Sequence, residues 1–295
     1  MFRLAAHNWM RPEPLEVSCA RLQRLGYQAM ELMGEPTRFE ARETRAILQK
    51  YKIDCWGVAT IMIKGRDLIH ADKKVRTDSI KYVTDCITLS HELGGEIMTI
   101  VPSEVGKITP MADPETEWAW AIESLKPIVD HARKQKIRIA LEPINRFETN
   151  FLMRHDQALC LADALGEDVG VCLDTFHLNI EEKSPCDAIR KTGKRLFDIH
   201  LGDNNRYAPG DGAYDWHAVL GALKDVGYTG CLAAEFVIPV DRSPLGKKSS
   251  EGNEGATEEE LKWLRDHGSD VMSDAEYTRH FEKCINHIRK CEPHD

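Results

Sequence analysis

The sequence has little of what would put it on a membrane, on a nucleic acid or in an oxidising compartment. No apolar run approaches the ~20 residues that cross a bilayer. The opening MFRLAAHNWMRPEPLEV has no charged stretch leading into a long apolar segment, so it does not read as a secretory signal. Its 39 Lys and Arg are outnumbered by 48 Asp and Glu, for a net charge of −9. Releasing counterions from phosphates needs clustered cations instead, which argues against nucleic acid and against an anionic membrane surface. The nine cysteines (Cys19, Cys55, Cys86, Cys160, Cys172, Cys186, Cys231, Cys284 and Cys291) include no C-x-x-C pair. A structural zinc or a thioredoxin-like centre therefore has no support, and several of these thiols lie in apolar runs, where cysteine acts as a small hydrophobe. A cytoplasmic, reducing location without disulfides is expected. There is no G-x-G-x-x-G after the first apolar run, and HELGG at 91–95 lacks the second histidine of H-E-x-x-H. Dinucleotide binding and metalloprotease chemistry are set aside.

What the sequence does have is alternation. Short apolar runs at 3–7, 29–32, 55–61, 96–101, 138–142, 170–174, 196–201 and 231–236 alternate with amphipathic stretches such as 14–25, 78–93, 116–134, 156–165 and 216–226. Continuous apolar runs suit strands buried on both faces, and their alternation with helices predicts a parallel sheet. Eight such units in 295 residues, against about 250 for a typical barrel, predict an α/β protein with one (β/α)8 TIM-barrel domain over 1–295. A doubly wound open sheet is the second choice. PVDRSPLGKKSSEGNE at 239–254 is rich in Pro, Gly, Ser and charge. An inserted loop at about 239–275 is expected there, as a surface excursion, a lid or a partner surface. Residues 275–290 then return as the closing helix.

Barrel enzymes carry their sites at the C-terminal ends of the strands. The last four apolar runs end on IRIALE with Glu142, VGVCLD with Asp174, LFDIH with His200 and CLAAE with Glu235. One charged strand end is commonplace; four in succession, all of metal-competent types, predict a shared site. Three carboxylates so close would raise one another's pKa, and a bound cation removes the conflict. Oxygen-rich donors with one imidazole suit Mn²⁺, Mg²⁺ or Co²⁺ better than a closed zinc site. An octahedral ion held by four side chains keeps two positions for adjacent oxygens, as on a sugar. The bland alternative is a cluster of buried polar residues satisfied by hydrogen bonds.

Glu148 follows Glu142 by six positions, His177 follows Asp174 by three, and Arg206 follows His200 by six. Singly, they read as a solvated carboxylate, a helix-start residue and a surface cation paired with Asp203. Their positions just after ligand-bearing strands predict substrate contacts. Trp118 and Trp120 lie on different helix faces and read as packing residues.

The segments LEPINRFET, VCLDTFHLNIEE, HLGDNNRYAPGDG and GYTGCLAAEF resemble, in order and spacing, the xylose-isomerase-like barrels and more narrowly the ketose 3-epimerases (D-tagatose and D-allulose 3-epimerases). The resemblance implies a divalent-metal-dependent sugar epimerase working through an enediolate. It implies that Glu142, Asp174, His200 and Glu235 hold the metal, that Glu142 and Glu235 are the acid/base pair, and that Glu148, His177 and Arg206 bind the sugar. The chain departs from the ketose 3-epimerase pattern at Asp203, at FVIPVDRSP after Glu235 and at GVATIMIKGRDL in 57–68. The larger subunit of C-glycoside deglycosidases resembles the same superfamily. It implies a lyase on 3-oxo-glucosides working with a small partner subunit, where VPSEVGK at 101–107 and the 239–254 insertion would suit a larger aglycone. Homo-oligomerisation is expected under the first reading. Simple aldose–ketose isomerisation and a non-catalytic metal-binding barrel are the remaining alternatives.

Overall fold

A computed structural model describes residues 1–63, 65–238 and 272–293. Eight parallel strands, each hydrogen-bonded to the next, close into a barrel in which the last pairs with the first. They are β1 (Arg3–His7), β2 (Ala29–Met33), β3 (Asp54–Ala59), β4 (Ile97–Ile100), β5 (Arg138–Leu141), β6 (Val169–Asp174), β7 (Leu196–Leu201) and β8 (Cys231–Ala234). The predicted TIM barrel is what forms. The helices among the described residues are α1 (Leu15–Leu25), α2 (Ala41–Lys50), α3 (Lys73–Leu93), α4 (Pro114–Gln135), α5 (His155–Leu165), α6 (Thr175–Glu181), α7 (Pro185–Thr192), α8 (Trp216–Asp225) and the closing α9 (Asp274–Cys291). None of them is long and apolar enough to cross a membrane. Of the expected insertion, residues 239–271 lie outside the described residues.

Local chemistry explains most helix starts. Asp72, Asp113, Asp215 and Ser273 each accept a backbone N–H of the first turn of α3, α4, α8 and α9, and such a cap contributes about 1 kcal/mol. Asp72 carries α3 back to Lys73, one turn and more before the expected start at 78, because the polar KKVR segment has no apolar stripe to announce it. The short α2 and α7 each bury one face, Thr44 and Leu48 in α2 and Ala188, Ile189 and Thr192 in α7. α8 shows the usual logic: Trp216, Val219, Leu220 and Leu223 recur at helical spacing and are all buried, each stabilising by roughly 1.5–3 kcal/mol. Trp118 and Trp120 are packing residues: Trp118 meets Phe151, and Trp120 lies under the Arg76 guanidinium. All nine thiols are unpaired.

The strands bring the site to one height. Asp174 is the register partner of His200, and His200 of Ala233, the second residue before Glu235. On the far side, His7 pairs with Glu31. Register shifts between Met30 and Glu31 and between Val171 and Cys172 fall just below this level, where bulges commonly re-aim side chains toward an active site.

Candidate active site

Glu142 lies one residue past β5, Asp174 ends β6, His200 is the penultimate residue of β7 and Glu235 lies one past β8. All four are buried. His200 Nδ1 stands 3.1 Å from Glu235 Oε2 and 3.4 Å from Glu142 Oε1. Glu142, Asp174 and His177 offer ligand atoms within 4.8 Å of one another, as do Glu142, Cys172 and His200, and, on the other face of His200, His7, Glu31 and His200. Asp174 Oδ1 caps α6 by accepting the Phe176 N–H at 2.8 Å, and Glu235 Oε1 accepts the Trp9 indole N–H at 2.8 Å. The second oxygen of each, together with both nitrogens of His200, has no hydrogen-bond partner among the described residues.

That pattern is the test of whether a cation fits. Each unpartnered buried carboxylate costs several kcal/mol, yet these partnerless atoms converge. Neighbouring ligands on an octahedral ion with ~2.1 Å bonds lie about 3 Å apart, close to the separations at His200. The donor types, and the separations at His200, suit a divalent ion beside Glu142. Without it, the charges are unevenly shared. Burial pushes Glu142 up, and burial followed by the charge of Glu235 pushes Asp174 well above the carboxylate range. Glu235 is held well below that range, because His7, His200 and Arg206 outweigh the effect of burial.

The three expected substrate residues form one wall. Burial lowers His177 to about 4, so its ring is neutral at pH 7. Its Nδ1 accepts the Asn145 backbone N–H at 3.3 Å, which leaves the proton on Nε2, 3.5 Å from Asp174 Oδ2. Glu148 Oε1 accepts from Asn145 Nδ2 at 2.7 Å and from Arg206 Nη1 at 3.2 Å. Arg206 thus pairs with Glu148 and lies over the Phe176 ring, 4.7 Å from its centroid. Its backbone is left-handed at φ 63°, a strain of roughly 1–2 kcal/mol for a residue with a Cβ, held by the Arg206 N–H to Asp203 carbonyl bond at 2.9 Å and the Val237 N–H to Arg206 carbonyl bond at 2.8 Å. Asp203 serves the loop instead of Arg206. Its carboxylate accepts from Trp216 Nε1 and from the N–H groups of Asn204, Gly210 and Tyr214. Gly202 is required by close approach, since a Cβ there would meet the Glu235 carbonyl at 2.9 Å.

Sequence reasoning missed a second tier. His7 and Glu31 are buried beside His200, and Asp198 is fully buried on β7. His7 is lowered to about 4 by burial, and burial with the charge of Asp198 raises Glu31 to about 8. A signal existed: a charged residue inside an apolar strand, AMELM for Glu31 and LFDIHL for Asp198. It was hidden by looking only at strand ends.

Residues 19–267 match the xylose isomerase-like TIM barrel family. A D-psicose 3-epimerase of Enterocloster bolteae is 36% identical over 227 residues, 75% of this chain and 71% of the relative. A 3-dehydro-D-guloside 4-epimerase of Escherichia coli is 24% identical over 264 residues, 86% of this chain and 95% of the relative. The D-psicose 3-epimerase of Clostridium cellulolyticum H10, solved with D-tagatose, superposes with a TM-score of 0.82 over 99% of this chain and 100% of that one, at 22% identity. At that identity the superposition speaks for the fold.

Proposed function

Since the chain belongs to the xylose isomerase-like TIM barrel family, we propose that it is a sugar epimerase that inverts C3 of a ketose, with one divalent cation held by Glu142, Asp174, His200 and Glu235. The observation that carries the reading is the convergence of partnerless, buried ligand atoms from consecutive strands. The curated relatives named as ketose and D-psicose 3-epimerases support the reaction class. The oxygen-rich donor set favours Mn²⁺, with Mg²⁺ or Co²⁺ as substitutes.

When bound, the ion polarises the carbonyl beside the carbon that loses its proton, which makes that C–H acidic. Glu235, as a carboxylate, takes the C3 proton from one face. The electron pair moves onto the C2 oxygen, C3 becomes planar, and Glu142 in its acid form returns a proton to the opposite face. The Nε2–H of His177 and the guanidinium of Arg206 donate to sugar oxygens, and Glu148 accepts from a hydroxyl. The Trp9 indole donates to Glu235 Oε1 and so holds the carboxylate in its orientation.

The test is direct. Protein stripped with EDTA and offered D-fructose or D-tagatose should be inert, and added Mn²⁺ or Co²⁺ should restore a C3 epimer visible by sugar chromatography. Metal-loaded protein that makes no C3 epimer from any ketose would overturn the substrate assignment. Indifference to chelation would overturn the metal.

One observation favours a second substrate class. The Escherichia coli relative named 3-dehydro-D-guloside 4-epimerase acts on an oxidised glycoside, and Phe147, 72% exposed, adjoins Glu148. The same proton abstraction beside the ketone of a 3-oxo-glucoside would give epimerisation or, with a small partner subunit, loss of the aglycone. Running 3-oxo-glucosides alongside the ketoses separates these outcomes.

A further inference from the structure

His200 faces two ways. Its Nδ1 looks up at Glu142 and Glu235, while Nε2 looks down at Glu31 Oε2, 3.3 Å away, and Asp198 Oδ2, 3.4 Å away. The two carboxylates are differently held. Asp198 Oδ1 accepts the Trp56 indole N–H and the Ile199 N–H, both at 2.9 Å, and its Oδ2 accepts the Thr99 hydroxyl at 2.9 Å. Three donors from three strands leave it no freedom to turn. Glu31 is the opposite case: it is fully buried at mid-strand in β2, and neither oxygen has a hydrogen-bond partner among the described residues. The groups within ion-pair range of Glu31 are His200 Nε2 and, at 3.5 Å, His7 Nε2. Both histidine nitrogens are partnerless too.

An imidazole can ligand a cation through Nδ1 only if its remaining proton sits on Nε2, and that proton needs an acceptor when buried. A proton there lies between two carboxylate oxygens at nearly equal range, a three-centre arrangement in which neither leg is short. We propose that Glu31 and Asp198 are positioning residues that jointly accept the Nε2 proton of His200, fixing its tautomer and ring orientation so that Nδ1 is presented to the cation, with Asp198 as the immobile acceptor and Glu31 as the group whose burial is justified by this contact. The inference rests on the reading of His200 as a metal ligand. It explains why a barrel interior built largely from small apolar side chains keeps two further acidic residues, Glu31 and Asp198, against His200. It also gives Trp56 and Thr99 a role, since their hydrogen bonds keep the Asp198 carboxylate aimed at His200.

The experiment is a calorimetric titration of EDTA-stripped full-length protein with MnCl₂, alongside thermal unfolding of the metal-free forms. Wild type should bind one Mn²⁺ per chain. Glu31→Gln and Asp198→Asn should each weaken binding by about 10–100-fold, the usual effect of losing such a partner, while the metal-free Glu31→Gln protein unfolds no earlier than wild type. Thr99→Val, which frees one oxygen of Asp198, should weaken binding less, and it stands in if Asp198→Asn fails to fold. With Co²⁺ in place of Mn²⁺, the visible absorption of the variants should shift, which a purely structural role would not cause. If wild type binds and Glu31→Gln and Asp198→Asn bind within twofold of it, the positioning role is wrong and the metal site stands. If wild type and His200→Asn are equally unable to bind Mn²⁺, the metal site itself is wrong and the positioning role goes with it.

Discussion

Two layers of side chains fill the inside of this barrel, and they lie two residues apart on the same strands. The layer nearer the strand starts holds Ala5, Ala29, Ile97, Ala140, Cys172 and Ala233 around Trp56. The layer nearer the strand ends holds His7, Glu31, Thr99, Glu142, Asp174, His200 and Glu235. A two-residue step keeps a side chain on the same face of a strand, so backbone, direction and burial are shared. Hydrogen-bond satisfaction is not. The lower layer is apolar but for Asp198, which is fully partnered by Trp56, Thr99 and Ile199; in the upper one His7, Glu31, Asp174, His200 and Glu235 all keep unpartnered atoms. The lower layer stabilises the fold, and the upper layer is tolerated because the lower one secures it. Chemistry resides where satisfaction is incomplete, since those atoms are the ones free to meet a ligand.

If the layers divide labour in this way, substitutions should separate stability from turnover. The largest effect is expected at Glu235→Gln. Turnover should fall by about 10³-fold or more, ~4 kcal/mol of barrier, while the unfolding temperature falls only modestly, through loss of the charge that His7, His200 and Arg206 favour. Near-normal turnover would remove Glu235 from the acid/base role. One layer down, Ile97→Ala should do the reverse and cost about 2–5 kcal/mol in urea unfolding by opening a cavity, with turnover well below the transition close to that of wild type. A large loss of turnover there would blur the boundary between layers. Trp9→Phe, which deletes the indole donor to Glu235, should lower turnover by roughly 10-fold, in line with a hydrogen bond to a charged group, and leave the sugar KM nearly unchanged. A rise in KM alone would make Trp9 a substrate contact.

The smallest effect sharpens the comparison at its edge, where Asp203 is a fully satisfied carboxylate just outside the upper layer. Burial opposes its charge, but Trp216 and the N–H groups of Gly210, Asn204 and Tyr214 outweigh it and hold the group below the usual Asp value. A lowered folded pKa means stabilisation that is complete above the unfolded pKa, roughly 3.9, and is lost as pH falls through the lower folded value. Asp203→Asn should therefore destabilise by about 1 kcal/mol at neutral pH, and the gap to wild type should close on acidification below that range. A gap that persists at low pH would mean the loop depends on shape and not on the charge.

The legibility of the sequence follows the same division. Strands buried on both faces announce themselves as apolar runs, and the eight expected runs overlap the eight observed strands, β1 and β7 residue for residue. Helices with an apolar stripe were equally plain. α6 was not, because seven residues are too few to show a period. The expected ligands Glu142, Asp174, His200 and Glu235 could be named because a charge that ends an apolar run is conspicuous; in the structure Glu142 and Glu235 lie 3.4 and 3.1 Å from His200, and Asp174 lies beside His177. His7, Glu31 and Asp198 carry a weaker signal, a His ending the first run and single acids within apolar strands, and nothing local shows that they meet.

By itself the sequence determined the order of strands and helices, and hence the barrel, because burial on both faces and amphipathic periodicity are local properties of the chain. It also determined which side chains stand at the strand ends. Only the tertiary structure decided which of them meet. Closure sets β1 beside β8 and brings the indole of Trp9 to Glu235, and the register across β1–β2 and β6–β7 sets the heights at which Glu31 and Asp198 meet His200. Those contacts join residues far apart in the chain, and no local pattern encodes a distance across a barrel.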